Sequence, residues 1–224
     1  MLIIVSMNKL NAAPTFPKHH PDSPAFWDVR FQANFTPWDR GRVPDDFRTL
    51  LQQRPAARSF IPGCGNAHEV RCFLEFGWQV TAIDFSSAAV ASAKHLLKLN
   101  NLSNDCIDQA DFFDTKWSAR PFELVYESAF LCALPLALRL KWADQMATVT
   151  KVGGELAGYF YVCVDEKGPP FGIGANELDN LLAANFELVE SRVPTDSIPV
   201  FVGKERWMVW RRRGDGDEMP EQAR

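Results

Sequence analysis

The chain is poor in the residues that build metal centres and disulfide frames. Its five cysteines, Cys64, Cys72, Cys106, Cys132 and Cys163, are an odd number without a Cys-x-x-Cys pair. That pattern suits reduced thiols in a cytoplasmic protein better than a zinc site or a cross-linked scaffold. Only four histidines occur, and the adjacent His19 and His20 are a pair without a cysteine or acid partner, so no metal is expected. Positive charge is also scarce. Against 28 acidic residues stand 24 lysines and arginines, a net charge of −4, which leaves no broad basic face for a phosphate backbone. The cluster Arg211-Arg212-Arg213 is too local to change that, and no nucleic-acid partner is expected. Long apolar runs are missing too: Leu2-Ile3-Ile4-Val5 is too short for a signal-peptide core or a membrane span. A soluble cytoplasmic protein without a membrane partner is expected. Internal repeats and a second domain are likewise absent.

What is present is the material of one α/β domain. The 224 residues include 46% hydrophobic and 23% charged side chains, close to globular averages. Pro14, Pro17, Pro21 and Pro24 make residues 1–24 an extended N-terminal arm. Met7 is an alternative start within it. Residues 25–213 form the domain, and the polar segment 214–224 reads as a disordered tail. A short helix covers Pro24–Phe31, with Trp27 and Phe31 four residues apart on one face. From residue 44 strand and helix signals alternate. Helices are predicted at 44–53, 67–76, 86–99, 135–149 and 174–184. Strands are predicted at 58–62, 78–83, 104–109, 122–126, 155–164, 186–192 and 206–212, with Gly153-Gly154 as punctuation before the fifth. Ser86 or Ser87 caps the third of these helices. Strict alternation implies parallel strands with helices on both faces. The last two strands lack a crossover helix between them and should form an antiparallel pair at one edge.

The chemistry sits in Phe60-Ile61-Pro62-Gly63-Cys64-Gly65-Asn66, followed by Asp84 at the end of the next strand. Glycines in a strand-to-helix turn let the backbone approach a ligand, and an acid on the second strand accepts from ribose hydroxyls. The third glycine of a dinucleotide turn is missing, which speaks against NAD. S-adenosylmethionine has no phosphate to cradle; it needs a ribose acceptor, a grip on adenine and room for the methionine tail. Asp84 supplies the first. Asp111 can accept from the adenine amino group, with Phe85 or Phe112 against the ring. An end-of-strand cap for Asp84 and a solvated loop acid for Asp111 are the plainer alternatives. Cys64 within the turn reads as packing.

At these residues the chain resembles the thiopurine/thiol/halide methyltransferase family of S-adenosylmethionine-dependent enzymes. The resemblance spans about Trp27 to Trp210. It is carried by Phe26-Trp27-Asp28, Thr36-Pro37-Trp38-Asp39-Arg40-Gly41, the glycine turn, Ala82-Ile83-Asp84-Phe85-Ser86 and Asp111-Phe112-Phe113. Phe130-Leu131-Cys132-Ala133-Leu134-Pro135, Gly153-Gly154-Glu155-Leu156 and Gly168-Pro169-Pro170-Phe171 extend it. It implies a Rossmann-like methyltransferase fold with a mostly parallel seven-stranded sheet. It also implies S-adenosyl-L-methionine as cofactor and a small-molecule methyl acceptor. By position, Trp27, Phe31 and Trp38 would wall the cofactor site from the arm, and Gly63 would touch the methionine portion. Asp84 would hold the ribose, Asp111 with Phe112 the adenine, and Ser128 would lie near the reactive end. Thiopurine-type members carry an arginine where Ser128 stands, and the thiol/halide branch an uncharged residue, which favours the second branch.

Transfer to a thiolate or halide needs alignment and exclusion of water more than acid–base work. The aromatics Phe16, Trp27, Phe31, Phe35 and Trp38 therefore read as a lid that closes over bound cofactor. For Phe16 and Phe35, covering one end of the core is the competing reading. For a neutral thiol, Asp39 and Tyr161 are candidate proton acceptors, against an Asp39–Arg40 ion pair and a packed Tyr161. His68 and His95 are expected on helices, outside the chemistry. The acceptor is read as a thiol, halide or similar soft nucleophile. A nitrogen or oxygen of a small heterocyclic metabolite is the alternative, and a cofactor-binding module without turnover is the reading from another class. A monomer is expected.

Overall fold

A computed structural model describes residues 14–114, 117, 119–165 and 167–214. Residues 1–13, with the alternative start at Met7, lie outside the described residues, as does the tail beyond Gly214. Residues 14–23 carry no helix or strand, and Trp27 Nε1 donates to Pro21 O at 2.8 Å, tying this stretch to the first helix.

The elements run α1 (Pro24–Gln32), α2 (Asp45–Gln52), β1 (Arg58–Pro62), α3 (His68–Glu75), β2 (Gln79–Asp84), α4 (Ser87–Leu99) and β3 (Ile107–Gln109). They continue with β4 (Phe122–Ser128), two 3₁₀ turns, α5 (Arg139–Val149), β5 (Thr150–Tyr161), α6 (Ala175–Ala183), β6 (Phe186–Arg192) and β7 (Glu205–Arg212). The seven strands form one sheet in the order β3-β2-β1-β4-β5-β7-β6. β1 to β5 pair in parallel. β7 is antiparallel to both β5 and β6, so β6 is the outer strand of the expected edge pair.

Alternate side chains of the central strands enter two cores. Ile61, Leu124, Tyr126, Ala157, Tyr159 and Trp207 face the side covered by α2, α3 and α4. Phe60, Val125, Leu156, Phe160 and Met208 face the side covered by α5 and α6. Burial on both faces is what strands joined by crossover helices require. The α4 cap is Ser86, whose Oγ accepts from Ala89 N at 3.1 Å.

Two sequence boundaries move. Gly153-Gly154 lies inside β5, which starts at Thr150 rather than 155. Phe122 pairs with Thr150 and Leu124 with Glu155, so the extra residues bulge out there. A Cβ on Gly154 would lie 2.8 Å from Lys151 O and 2.9 Å from Glu123 O. The glycine thus serves a bulge, which looks like a break in sequence. The helix expected from Pro135 begins at Arg139, because Leu136–Leu138 is a 3₁₀ turn.

Candidate active site

The strand order reverses between β1 and β4, and at the carboxyl ends of these strands lies a cavity of about 360 Å³. A parallel sheet opens a crevice at such a switch point because the loops of neighbouring strands leave in opposite directions. Trp27, Phe31, Trp38, Gly63, Asp84, Phe85, Asp111, Phe112 and Ser128 all line it. Its floor is the glycine turn. Gly63 adopts φ +61°, and a Cβ there would stand 2.5 Å from a ring carbon of Phe130. No other residue type fits that approach without moving Phe130. Phe130, in turn, meets Phe112 edge to face at 5.2 Å.

Asp84 is buried at the end of β2. Its Oδ2 accepts from Gly65 N at 3.1 Å and its Oδ1 from Ser86 N at 2.9 Å. Burial raises its pKa to about 6 despite these two bonds, with the charge of Asp28 adding to the rise. Asp111, on the loop after β3, is exposed, and its Oδ1 accepts from Phe113 N at 2.8 Å. Cys64 is buried, and burial together with Asp84 pushes its thiol well above the ordinary value, as an inert packed cysteine requires.

The wall opposite the sheet comes from α1 and the loop after it. Trp27 and Trp38 meet edge to face at 5.4 Å, and Phe31 meets Trp38 at 6.0 Å. Asp28 fixes α1 in place. Its Oδ1 accepts from Ser86 Oγ at 2.7 Å, Ser87 Oγ at 3.3 Å and Ala88 N at 3.0 Å, at the start of α4. Burial opposes ionisation of Asp28, yet these bonds outweigh it and hold the carboxyl below its usual range. The Trp38 loop is pinned from both sides. Asp39 accepts from Gly41 N at 2.7 Å and from Asn66 Nδ2, and pairs with His68 Nε2 at 3.1 Å. Arg40 points the other way, pairing with Glu205 of β7 at 2.6 Å and stacking 4.3 Å over the Tyr159 ring.

Of the readings open at Asp39 and Tyr161, the Asp39–Arg40 ion pair is corrected and the packed Tyr161 is what the structure has. The partner of Asp39 is His68, not Arg40. Burial alone would raise the Asp39 pKa, but the bonds from His68, Gly41 and Asn66 bring it below normal, while the bond to Asp39 raises that of His68. His68 therefore lines the cavity as half of an ion pair. Tyr161 packs on Phe201 at 5.7 Å and lines neither this cavity nor its neighbour. Burial and a bond to Cys163 raise its pKa, the wrong direction for a proton acceptor. Asn66, His68 and Glu69 also line the cavity, and their only signal in the sequence is closeness to the glycine turn. His20, read as lacking an acid, pairs with Asp22 at 2.6 Å.

A second cavity of about 340 Å³ lies beyond the first. Trp27, Trp38, Ala129 and Ala133 line both. Its remaining lining is mainly apolar, including Phe35, Cys132, Pro169, Pro170 and Phe201, and among the described residues contains neither a carboxylate nor a histidine. Phe16 lies outside both, packed on Phe35 at 5.5 Å.

Comparison with known proteins follows this geometry. The sequence profile of the thiopurine S-methyltransferase (TPMT) family matches residues 22–213. A probable thiol methyltransferase 2 of Arabidopsis thaliana is 31% identical over 161 residues, 70% of each chain. Thiocyanate methyltransferase 1 of the same plant is 27% identical over 197 residues, 83% of this chain and 84% of that protein. Among solved structures, the 1,6-didemethyltoxoflavin-N1-methyltransferase of Burkholderia thailandensis superimposes with a TM-score of 0.68 at 17% identity. That match covers 91% of this chain and 95% of the other, and that structure holds its substrate and S-adenosylhomocysteine. At that identity the likeness is one of fold.

Proposed function

The chain belongs to the thiopurine S-methyltransferase family, a family of S-adenosylmethionine-dependent methyltransferases, and from that premise we propose that it methylates a small, soft, anionic nucleophile such as a thiolate, thiocyanate or halide. The chain's own residues fit the methyl donor. Asp84 offers a buried carboxylate to a ribose diol, and Gly63 leaves a cradle that a Cβ would fill against Phe130. In this reading Asp111, Phe85 and Phe112 hold the adenine, and Trp27, Phe31, Trp38 and Ser128 enclose the reactive end. When bound, S-adenosylmethionine supplies a methyl carbon on positive sulfur; the acceptor's lone pair forms the new bond as the carbon–sulfur pair returns to sulfur.

The acceptor is read from the second cavity, and its lining is the observation that carries the proposal. It abuts the first cavity through Trp27 and Trp38, and among the described residues no carboxylate or histidine lines it. An acceptor that arrives as an anion has no proton to lose. A hydroxyl or amine of a heterocycle would need a base there, and its polar atoms would lose water without a side-chain acceptor in return. Apolar walls also strip water from a soft anion, which raises its nucleophilicity. The names of the thiol and thiocyanate methyltransferases it resembles point the same way. Asp39, locked to His68, Asn66 and Gly41, acts on this view by holding the Trp38 loop and not as a base.

The test is transfer of a labelled methyl group to thiocyanate, iodide, hydrosulfide and thiophenolate, beside hydroxylated and aminated heterocycles. Turnover of the anions is expected; turnover confined to the heterocycles would sink the proposal. The cysteine pattern and net charge of −4 further support a cytoplasmic monomer without a nucleic-acid partner. Sedimentation at micromolar concentration with and without RNA would check that.

A further inference from the structure

Resting on that acceptor reading, we propose that Arg30 determines acceptor specificity: its guanidinium attracts an anionic acceptor into the second cavity, so charged nucleophiles are preferred over neutral ones. Arg30 lines this cavity, where Cys132 is the only other titratable side chain among the described residues. It sits one helical turn after Phe26 on α1. Its Nη1 donates to Phe26 O at 2.6 Å, and its guanidinium carbon lies 3.4 Å over the Phe26 ring and 4.7 Å from that of Phe16.

These contacts hold the head group without neutralising it. Among the described residues Arg30 has no carboxylate partner, whereas Arg40 and Arg42, beside the first cavity, are paired with Glu205 and Asp196. A guanidinium flanked by rings and lacking a counter-charge leaves positive potential in a lining that is otherwise apolar. Attraction between charges grows as water is excluded, so an anion gains there what a neutral acceptor of the same size does not. The bond to Phe26 O uses one donor of a group that carries five, and donors remain for the incoming anion.

The plainer role of Arg30 is to staple residue 16 to α1 through its two ring contacts. The experiment separates the two. Thiocyanate, and separately the neutral thioether ethyl methyl sulfide, would be titrated into the S-adenosylhomocysteine-saturated full chain and followed by tryptophan fluorescence, for wild type, R30K and R30Q. Saturable thiocyanate binding is expected in wild type and R30K. In R30Q it should weaken roughly ten- to 150-fold, the range of one charge-assisted bond. The dependence of thiocyanate affinity on salt should flatten in R30Q. Thioether binding and the affinity for S-adenosylhomocysteine should stay as in wild type, the latter showing that the variant is folded. Equal thiocyanate affinity in wild type and R30Q, no saturable binding in wild type, or an equal loss for thiocyanate and thioether would overturn the proposal. Its failure is distinguishable from that of the acceptor reading. Methylation of heterocycles alone defeats the acceptor reading and this proposal with it. Methylation of anions undiminished in R30Q defeats only the role of Arg30.

Discussion

Asp84 has two roles that pull in opposite directions with pH. Burial raises its pKa from 3.8 to about 6, so the folded state holds a proton that the unfolded state releases. Its contribution to folding is therefore full below about pH 4 and lost as pH rises through 6. A ribose diol, by contrast, needs the ionised carboxylate as acceptor, so donor affinity should fall as pH drops below 6. The rise in melting temperature produced by S-adenosylmethionine should accordingly grow between pH 5 and pH 7. Asp84→Asn should weaken donor binding by roughly 1.5–3 kcal/mol and remove that pH dependence. A D84N protein with an unchanged dissociation constant in calorimetry would take Asp84 out of the donor site. This residue was legible in the sequence because a strand end, a glycine turn and an acid occur at fixed order along the chain. The Asp39–His68 pair was not. It joins residues 29 positions apart across two loops, and periodicity carries no record of such a contact.

Among the elements, α1 carries Trp27 and Phe31 of the cavity wall. Asp28 joins it to the start of α4 through three donors, satisfying backbone and hydroxyl groups that a helix N-terminus leaves open. Asp28→Ala should cost about 1–2 kcal/mol of stability, as lost caps do, and should loosen donor binding because Trp27 and Phe31 ride on the same helix. Hydrogen exchange of residues 24–41 should slow when S-adenosylmethionine binds wild type, and slow much less in D28A. Exchange that ignores the donor in both proteins would remove the lid from the mechanism. Helix and strand identities were readable here because side-chain period follows from backbone geometry. The bulge at Gly153-Gly154 was not, since glycine marks turns and bulges alike. The distinction lies in the carbonyls of Lys151 and Glu123, which come close only once the sheet has formed.

For the whole molecule, the cavity is tied to β7, next to the sheet edge, by a buried ion pair. Arg40 and Glu205 are 5% and 3% exposed in their side chains and 2.6 Å apart. Burial by itself lowers the Arg40 pKa, and the charge of Glu205 and the bond to it more than restore it. Removing Glu205 takes away the nearer counter-charge but leaves Arg40 the Asp196 carbonyl at 2.9 Å and its carboxylate at 3.8 Å, so the loss should stay below the about 3–5 kcal/mol of a wholly uncompensated buried charge. Glu205→Ala should show a loss of about 1–3 kcal/mol in chemical denaturation, together with weaker donor binding. A change below about 1 kcal/mol would mean that Asp196 and water together replace Glu205.

The insertion of β7 between β5 and β6 has a consequence for synthesis on the ribosome. The glycine turn and Asp84 emerge early, yet β7, which completes the sheet and carries Glu205, emerges after every other strand. A nascent chain halted before residue 205 would expose the β5 edge and leave Arg40 without its nearer counter-charge. Donor binding should thus wait until β7 has emerged, and chains truncated before it should be both inactive and prone to edge-to-edge association.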